Sequence, residues 1–530
     1  GVRNPGFQDV LLEDVLLDVE KAKVDIPGVI LPVATVPKKL EHNPSSSTVI
    51  VQSPIFGFFP PSTAPAPLSP KDERLAVGSL SPLVAGCAKH GEVTENFSDE
   101  VCERTCERMR TMLNKNCVKV RSVNEPVLTD QQAVCGDIDL PFCDSLNWSS
   151  SEGYPYYAYR PKGVNDKKWL FDLEEDQAGY KLRGFHPLLQ NVLVLRRRQR
   201  KLGIKQPTIF VDCLKDARIP IEKVPISGKT RIFSMSPVDY TIDFRKYLYD
   251  FIASFQNSRV NCHNMIGMNV FSDEWHCLAV ELLRNKKICT GDYSNFGPGL
   301  NLKVAKLCCD IILDWYDKNW PDDSDENKRT RACLLDELIC AYHLCKNLVY
   351  SVSAGIPSGS PITVVLNSLV NIFYIYAAWD MLAETWHPNY NSFDLFRRNV
   401  VLYTYGDDFI MSVSEQFIDK FNSYTISEVL AKFKIKLTDA QKGATVTPYA
   451  SLEESTFLKG HFNYFIGKWW YGLEKSQIYD MCNWVRKSPD MVRAIVDNAD
   501  AALLHAQGWG PDFFHDFKHR LCRALVWLKK

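Results

Sequence analysis

The chain has 530 residues, 45% of them hydrophobic, which is enough to bury a large core in about two to four structural units. Its formal net charge of −1 excludes a global positive field, so any surface for a nucleic acid must be local. The 17 cysteines include no C-x-x-C pair, and Cys308 and Cys309 lie in apolar, helix-like sequence. This pattern predicts reduced core thiols in a cytosolic protein and argues against a zinc site.

No targeting or membrane segment is predicted. No apolar run approaches the roughly 18 to 20 residues of a membrane span. The N-terminal stretch GVRNPGFQDVLLEDVLLDVEK lacks the basic-then-apolar order of a signal peptide.

In chain order, the first half of the sequence mixes extended and helical patterns. Residues 43–72 are dense in proline and serine, which predicts an extended path that serves as a strap or a linker. A helical pattern begins after Ser98, a partial N-cap signal because Val101 rather than Glu follows three residues later. Residues 163–260 are predicted to alternate basic segments with strand-like pieces.

The second half ends in a helical unit. From about Ser455, the segments YDMCNWVRK, DMVRAIVDNADAALLHAQ and DFFHDFKHRLCRALVWLKK place apolar residues at three- and four-residue spacing, with a few short strands between. There is no internal repeat and no heptad run. The coarse prediction is a mixed α+β body with a helical C-terminal unit.

Two adjacent acids stand out in NVVLYTYGDDFIMSV, which predicts a strand, a two-residue turn and a second strand. Asp407 and Asp408 repel each other, so the pair is tolerable either in water or against a divalent cation. Gly-Asp is also ordinary turn chemistry, and a solvated turn explains this stretch equally well.

A third acid follows a short apolar strand in KKICTGDYSNFGPGL. Asp292 lies 115 residues before Asp407, so the two carboxylates can meet only if their strands are neighbours in one sheet. If they meet, they could bind Mg²⁺ in a two-metal site for phosphoryl transfer.

The segment SAGIPSGSPITVVLNSLVN predicts a Gly- and Ser-containing loop, followed by a helix with Thr363, Asn367 and Asn371 on one face. Polar residues on an apolar face need partners, which a nucleotide sugar or the backbone would supply. A serine-hydrolase site at Ser358 is excluded, because Ile356 stands where the nucleophile motif needs glycine.

A basic run, CLKDARIPIEKVPISGKTRIF, spaces five cations through strand-like sequence. Such alternation suits a triphosphate or an RNA backbone, and a solvated basic hairpin remains the alternative. The five residues are Lys215, Arg218, Lys223, Lys229 and Arg231.

In order and spacing, these segments resemble the RNA-dependent RNA polymerases of picorna-like positive-strand RNA viruses, iflavirus-like or dicistrovirus-like enzymes above all. The palm motifs of that family are visible as DYSNFGPGL, GIPSGSPITVVLNS and YGDD. Further similarity lies in SSEGYPYY, where the family's template enters, in DAQKGAT and STFLKGHF, and in LSPKDERL, which is similar to the index-finger strand. The match covers most of the chain from about Lys38.

The resemblance implies an α+β fold class, a closed right hand of fingers, palm and thumb with an antiparallel palm sheet and a helical thumb. We expect the fingers to comprise residues 1–247 and 300–345. The palm is then residues 248–299 and 346–466, and the thumb is residues 467–530. The first 30 or so residues have no assignable role, although in the family a free N-terminal glycine, here Gly1, packs inside the fingers.

The family's functional residues carry over as expectations. Asp292 and Asp407 become the principal ligands of Mg²⁺, for which Mn²⁺ can substitute, and Asp408 becomes a supporting acid. Lys442 would protonate the departing pyrophosphate; without the resemblance it reads as an exposed loop lysine. The triphosphate would be bound by four cations of the basic run: Lys215, Arg218, Lys223 and Arg231.

The remaining assignments concern the ribose and RNA. Ser358, Thr363 and Asn367 would read the ribose 2′-hydroxyl, with Gly359 giving the loop its mobility. RNA binding is expected at two places, the primer backbone and the site where the template enters: Lys459, and Gly153, Tyr154 and Pro155.

One position departs from the family pattern. The family commonly has a second Asp five residues after the first, where it helps to check the ribose, and this chain has Gly297 there. Losing one such hydrogen bond weakens discrimination by roughly 1 kcal/mol unless Asn295, Asn367 or a water replaces it. We therefore expect ribose selection to rest mainly on Asn367.

The implied function is RNA synthesis from an RNA template, with NTPs, an RNA template and primer, a small genome-linked protein primer and other replication proteins as partners. The resemblance also implies release from a precursor polyprotein and action at membrane-associated replication complexes in the host cytoplasm, without a transmembrane segment. A reverse transcriptase with a similar Tyr-x-Asp-Asp hairpin is the alternative enzyme, and Asn367 favours RNA synthesis. A non-catalytic RNA-binding protein is the other alternative, and it has no need for all three acids.

Overall fold

The computed structural model of the protein describes residues 16–28, 30–388, 392–440 and 445–528. The α-helices of these ranges, in chain order, are α1 (Pro82–Ala88), α2 (Asp99–Asn116), α3 (Asp130–Cys135), α4 (Pro187–Lys201), α5 (Val238–Asn257), α6 (Asp273–Leu282), α7 (Leu302–Asn319), α8 (Asp325–Asp336), α9 (Thr363–Trp386), α10 (Phe393–Asn399), α11 (Ser423–Ala431), α12 (Lys475–Asn483), α13 (Met491–Ala506) and α14 (Pro511–Trp527). Helix α2 is capped by Ser98, whose side chain accepts from the Val101 N–H, as predicted.

The strands of the same ranges are short, most of them three to seven residues long. They are β1 (Ile30–Thr35), β2 (Ile50–Gln52), β3 (Thr63–Pro65), β4 (Phe171–Asp176), β5 (Gly179–Phe185), β6 (Ile209–Leu214), β7 (Arg218–Pro220), β8 (Ile232–Met235), β9 (Lys287–Tyr293), β10 (Tyr342–Cys345), β11 (Leu348–Val352), β12 (Val400–Tyr405), β13 (Asp408–Val413), β14 (Leu437–Thr438), β15 (Thr456–Phe457), β16 (Gly460–Phe465), β17 (Lys468–Leu473) and β18 (Trp484–Arg486).

A four-stranded antiparallel sheet in the order β12-β13-β9-β14 carries the three acids singled out in the sequence. Strands β12 and β13 form the predicted hairpin, in which Tyr405 pairs with Asp408 across the Gly406–Asp407 turn. Strand β9 pairs with β13, so the strands that bear Asp292 and Asp408 are direct neighbours. The predicted antiparallel sheet is therefore confirmed.

A second sheet has five strands in the order β1-β11-β10-β6-β8. All six residues of β6 are buried, as expected for a strand covered on both faces. The edge strand β1 is preceded by residues that fold back onto it, since Leu17 pairs with Thr35 and the Thr35 hydroxyl donates to the Asp18 carbonyl. Gly1 lies outside the described residues. The proposed boundaries between fingers, palm and thumb remain predictions.

Helix α9 corrects the expectation that no segment approaches a membrane span. It has 24 residues and is apolar enough to cross a membrane by length and composition. However, 83% of its most apolar window is buried inside the protein, as in the core helix of many folds. It packs against α2, α7 and α11 in the largest core of the molecule.

The prediction of strand-like pieces alternating with basic segments through residues 163–260 is wrong for α4 and α5, which are helices of 15 and 20 residues. The basic segment of α4 is not a solvated run, because Arg196 and Arg200 are buried. Arg196 pairs with Asp239 at 3.1 Å, and Arg200 pairs with Glu337 at 2.8 Å. A helix is normally recognised in a sequence by apolar residues on its buried face. In α4, arginines occupy part of that face, so the apolar pattern is incomplete.

Most of the cysteines are core residues, as predicted, while Cys277, Cys340 and Cys522 are exposed. All 17 lie within the described ranges as free thiols, and 13 of them, including Cys308 and Cys309, are buried.

Residues 43–72, which we call the strap, join distant parts of the chain. Strand β2 of the strap pairs with β18, and β3 pairs with β7. Trp484–Arg486 was predicted as helix and is the strand β18, because its backbone pairs with Ile50–Gln52 instead of continuing α12. The strap is therefore not a free linker. As predicted, the rest of the C-terminal unit is helical, formed by α12, α13 and α14.

One buried carboxylate fastens the strap to α12. Asp480 Oδ2 accepts hydrogen bonds from the backbone N–H of Ser62 (3.1 Å) and Thr63 (2.8 Å) and from both of their hydroxyls (2.8 and 2.7 Å). Burial alone would raise the pKa of Asp480, yet the hydrogen bonds from Asn483, Thr63 and Ser62 hold this pKa below its usual value. The ionised form is thus favoured by folding.

We predict that Asp480→Asn lowers the free energy of unfolding by about 2 to 3 kcal/mol, because an NH₂ group then faces donors that need an acceptor. The pKa of Asp480 is lower in the folded protein than in the unfolded chain, where it is about 3.9. The contribution of Asp480 to stability is therefore complete above the unfolded pKa and is lost as the pH falls through the folded pKa. The difference between parent and variant, measured by thermal unfolding, should therefore be full at pH 7 and shrink below about pH 4. Asp497→Asn, in an exposed pair with Arg493, is the control. Equal effects of the two substitutions would contradict the assignment.

Candidate active site

Three acids meet at one end of the four-stranded sheet. Asp292 is the sixth residue of β9, one position beyond the pairing of Gly291 with Phe409, and this register brings it level with the hairpin turn. Asp292 and Asp407 are exposed, and Asp408 is half-buried. Loss of surrounding water, followed by the negative charge of Asp292, raises the pKa of Asp407. The sequence expectation that the two strands are neighbours is confirmed.

A solvated turn does not account for this arrangement, because two exposed acids from separate strands gain nothing from being close together in water. A divalent cation between them does. Within the described ranges, no group of three or more His, Cys, Asp or Glu side chains forms a preformed metal cage. That suits Mg²⁺, which proteins usually bind through one or two carboxylates, with substrate phosphates and water completing the shell. The donor set of Asp292 and Asp407 therefore fits the predicted ion.

Asp408 has a different task from Asp407. Its Oδ2 accepts a hydrogen bond of 2.8 Å from the backbone N–H of Leu458, in the turn between β15 and β16. Burial is the largest of several effects that raise the pKa of Asp408 to about 7. The carboxylate therefore ties the hairpin to the turn that carries Lys459.

Helix α9 holds the other side of the hairpin. The Asn371 amide donates to the carbonyls of Gly406 (3.0 Å) and Asp408 (3.1 Å), and its Oδ1 accepts from the Tyr293 hydroxyl at 3.0 Å. The Gly406 N–H donates to the Ser368 hydroxyl at 2.7 Å. For Asn371, the alternative of a buried amide satisfied by its own protein is thus correct.

Asn367, one turn earlier on the same helix, is not satisfied in this way. Its Oδ1 is buried and has no hydrogen-bond partner. An unpaired buried acceptor costs about 1 to 3 kcal/mol, so it marks a place where a ligand donor can bind. The Thr363 hydroxyl, by contrast, lies 2.9 Å from that of Ser360 and 3.1 Å from the Pro357 carbonyl, which closes the loop onto the helix.

The loop before α9 is fixed to strand β8. The Ser234 N–H donates to the Ser358 hydroxyl at 3.0 Å, and Gly359 forms a parallel bridge with Met235. A Cβ on Gly359 would lie 2.1 Å from the Ser234 carbonyl oxygen, so only glycine permits this approach. The structure supplies a steric reason for this glycine, and its predicted contribution to loop mobility remains a prediction.

A group of neighbouring cations without ion-pair partners, which we call the cation cluster, reaches the acids through Arg231 and Lys459. Within the described ranges none of its five members belongs to an ion pair: Lys89, Lys215, Lys229, Arg231 and Lys459. Loss of water, and then the charges of Arg231 and Lys215, lower the pKa of Lys459. The charges of Arg231 and Lys459 also oppose the rise in the pKa of Asp407, which places these two members of the cluster beside the acids. Cations that have no ion-pair partner, next to two neighbouring acids, are suited to bind a polyanion that carries a metal ion.

A family model described as viral RNA-dependent RNA polymerase matches residues 58–529. The chain belongs to this family. It is 39% identical to the genome polyprotein of Deformed wing virus over 98% of its own length and 30% identical to the replicase polyprotein of Cricket paralysis virus over 86%. It spans only 18% and 26% of those two polyproteins. The predicted family and enzyme class are confirmed.

The polymerase is also similar in structure to a Sicinivirus 3Dpol RNA dependent RNA polymerase. The TM-score is 0.73 with 19% sequence identity, and the match covers 94% of this chain and 95% of the other. This likeness confirms the predicted right-hand fold.

Two more of the predicted triphosphate-binding residues lie beside the cation cluster, since the charge of Arg218 is among those that lower the pKa of Lys459. The Arg218 guanidinium donates to the Thr63 hydroxyl at 3.0 Å and lies 3.8 Å from Asp480, so it belongs to the attachment of the strap. Lys223 lies near Lys89, since its charge is among those that lower the pKa of Lys89.

Lys89 was missed by the sequence reasoning. It begins the short turn that follows α1, 126 residues before Lys215 and outside every quoted motif. Loss of water and the charge of Lys229 are the two largest effects that lower its pKa. The Asn295 amide donates to the Lys89 carbonyl at 3.0 Å and so ties this turn to the loop after β9. No sequence signal could have found it, because a lone lysine beside a helix is commonplace.

The remaining predicted residues are buried or lie outside the described residues. Gly153, Tyr154 and Pro155 are all buried, and a Cβ on Gly153 would lie 2.6 Å from Pro237 Cα. Gly153 thus packs against the residues that follow β8, and RNA contact at this segment remains a prediction. Lys442 lies outside the described residues.

We predict that Asp408→Asn keeps the stability of the parent polymerase, because the amide oxygen can still accept from the Leu458 N–H. Asp408→Ala leaves that N–H without its partner and should lower the free energy of unfolding by about 1 to 3 kcal/mol. Thermal unfolding of both variants without substrate measures this. Equal losses in the two variants would exclude the hydrogen bond as the function of Asp408.

Proposed function

We propose that the chain extends an RNA primer on an RNA template by two-metal nucleotidyl transfer, as the replicative polymerase of a picorna-like virus. The observation that carries the proposal is the convergence of Asp292 and Asp407 beside the cation cluster. The two acids would bind a metal ion, and the neighbouring cations would bind the phosphates of a triphosphate that coordinates this ion.

Asp292 and Asp407 would hold Mg²⁺, or Mn²⁺ in its place, which supplies activation of the primer hydroxyl and charge neutralisation at the phosphates. The cation cluster would orient the triphosphate and stabilise the charge that develops on it. Asp408 positions the turn of Leu458 and Lys459, where we place the primer end. Lys442 is proposed as the acid that protonates the departing pyrophosphate.

The ribose would be read by Asn367, whose unpaired Oδ1 can accept from the 2′-hydroxyl. Asn295 Oδ1 is also buried without a partner, while its amide nitrogen donates to the Lys89 carbonyl, so Asn295 is a second candidate acceptor. A deoxyribonucleotide leaves Asn367 unsatisfied, which is the general basis of selection by a buried polar group. This feature argues for RNA synthesis rather than reverse transcription.

We further propose the partners implied by the sequence: an RNA template and primer, NTPs, a small genome-linked protein as the natural primer, and other replication proteins at cytoplasmic membranes. Support for origin in a precursor comes from the two viral relatives, which are polyproteins. A non-catalytic RNA-binding protein is disfavoured, because all three acids are present at one site.

We expect Asp407→Asn to lower primer extension by about a hundredfold or more, because it removes a ligand that bears transition-state charge. The assay is extension of a labelled RNA primer on a defined template with Mg²⁺. Asp419→Asn makes the same charge change at an exposed position and should retain the parent rate. Equal, nonzero extension by parent and Asp407→Asn would remove the catalytic assignment.

For ribose selection, we expect Asn367→Ala to lower the ratio of ATP to dATP incorporation by about five- to tenfold, the effect of one lost hydrogen bond. Gly297→Asp should raise the ratio, because a Cβ at Gly297 meets no atom within 4 Å and an acid has room there. Single-nucleotide incorporation measures both ratios. An unchanged ratio in Asn367→Ala would contradict the assignment.

A further inference from the structure

A buried carboxylate of the five-stranded sheet accepts hydrogen bonds from four different side chains. Asp212, on β6, is fully buried. Its Oδ1 accepts from the Ser234 hydroxyl at 2.7 Å and from His343 Nδ1 at 2.9 Å. Its Oδ2 accepts from the Tyr350 hydroxyl and from the Cys87 thiol at 3.3 Å.

This carboxylate is held in its ionised form. Burial alone would raise the pKa of Asp212, but the charge and hydrogen bond of His343, with lesser contributions from His90 and Tyr350, keep this pKa below its usual value. Because an ionised carboxylate can only accept, every group around it is fixed as a donor. The network therefore has one arrangement.

The network reaches the loop of residues 355–360 at its C-terminal end. Ser234 donates its hydroxyl to Asp212 and its N–H to the Ser358 hydroxyl, at 3.0 Å. The next residue of β8, Met235, forms the bridge to Gly359, whose close approach leaves no room for a side chain. A shift of Ser234 must therefore shift this part of the loop.

The other end of the loop is held by a second histidine. His90 Nδ1 donates to the Ala354 carbonyl at 3.2 Å, immediately before the loop. A Cβ on Gly355 would lie 2.9 Å from the same nitrogen, so the backbone presses against this ring. The His90 ring lies 4.9 Å from that of His343, which connects it to the Asp212 network.

We propose that Asp212 is a positioning residue that sets the loop of residues 355–360, and through it the fit of the incoming ribonucleotide. The inference rests on the proposed function, since the loop must read a nucleotide for its position to matter. Asp212 is fully buried and acts through Ser234, whose hydroxyl bonds to Oδ1. The Tyr350 hydroxyl bonds to the other carboxylate oxygen, Oδ2.

Because the two hydroxyls bond to different oxygens of Asp212, each can be removed separately, which gives a matched pair of variants. Ser234→Ala removes the donor on the loop side, and Tyr350→Phe removes a donor to the other oxygen. A purely structural role predicts that both variants lose stability and neither changes nucleotide selection. A positioning role predicts that only Ser234→Ala changes selection.

The experiment measures KM and kcat for ATP and the ratio of ATP to dATP incorporation in single-nucleotide primer extension. We expect Ser234→Ala and Asp212→Asn to raise KM and to lower the ratio, each by about fivefold, as for one displaced hydrogen bond. Tyr350→Phe should keep both parameters within about twofold of the parent. The effect on kcat should be smaller than that on KM, because Asp212 touches no reacting atom.

Asp380→Asn provides a second control. Asp380 is equally buried and is paired with Arg104 and Arg108 at 2.8 Å near the far end of α9. It should lower thermal stability without changing the ratio. If Asp212→Asn does not fold, Ser234→Ala decides the question alone.

The outcomes separate the two levels of inference. A parent enzyme that extends no primer refutes the proposed function itself. If the parent is active and Ser234→Ala keeps the parent KM and ratio, the positioning role is refuted and the proposed function stands. Equal changes of the ratio in Ser234→Ala and Tyr350→Phe also refute it, because the network then acts without regard to the loop side.

Discussion

The repulsion between two carboxylates is the constraint around which the rest of the polymerase is arranged. Pairing of β9 with β13 brings Asp292 beside the hairpin of Asp407, an arrangement that costs free energy until a cation arrives. The surroundings keep this costly geometry in place. Asn371 and Ser368 hold the hairpin from α9, and Asp408 ties it to the turn at Leu458. The acids therefore do not relax apart when no substrate is bound.

The cation cluster is assembled from segments that are distant in the sequence. The members of the cation cluster come from the turn after α1, from the loops between β6 and β8, and from the turn before β16. They lie together only because the two sheets and the strap fix these segments. Arg218 belongs at once to the basic run and to the attachment of the strap at Asp480. Arg218 thus connects the basic segment to the hydrogen bonds that fasten the strap.

The sequence was most informative where chemistry is local. The hairpin at Asp407, the helix of Asn367 and the cap at Ser98 each depend on neighbours in the chain, and each was predicted. Lys89 and Asp212 were not, because their importance comes from contacts with residues more than a hundred positions away or in unrelated segments. Helix α4 was misread since its buried face uses arginines, whose partners Asp239 and Glu337 lie elsewhere in the chain. The local sequence pattern therefore predicts where a motif lies. The residues that hold the motif in place are known only from contacts between distant parts of the chain.

The strap has a topological consequence. Through β2 and β18 it joins the C-terminal helices, and through β3 and β7 it joins the segment of the basic run, so the chain and these hydrogen bonds together close a ring. A polymer threaded through such a ring can enter or leave only by sliding along its own length. It cannot be lifted out sideways unless the strap detaches. Retention of a long strand would then depend on where its ends are, rather than on the strength of any single contact.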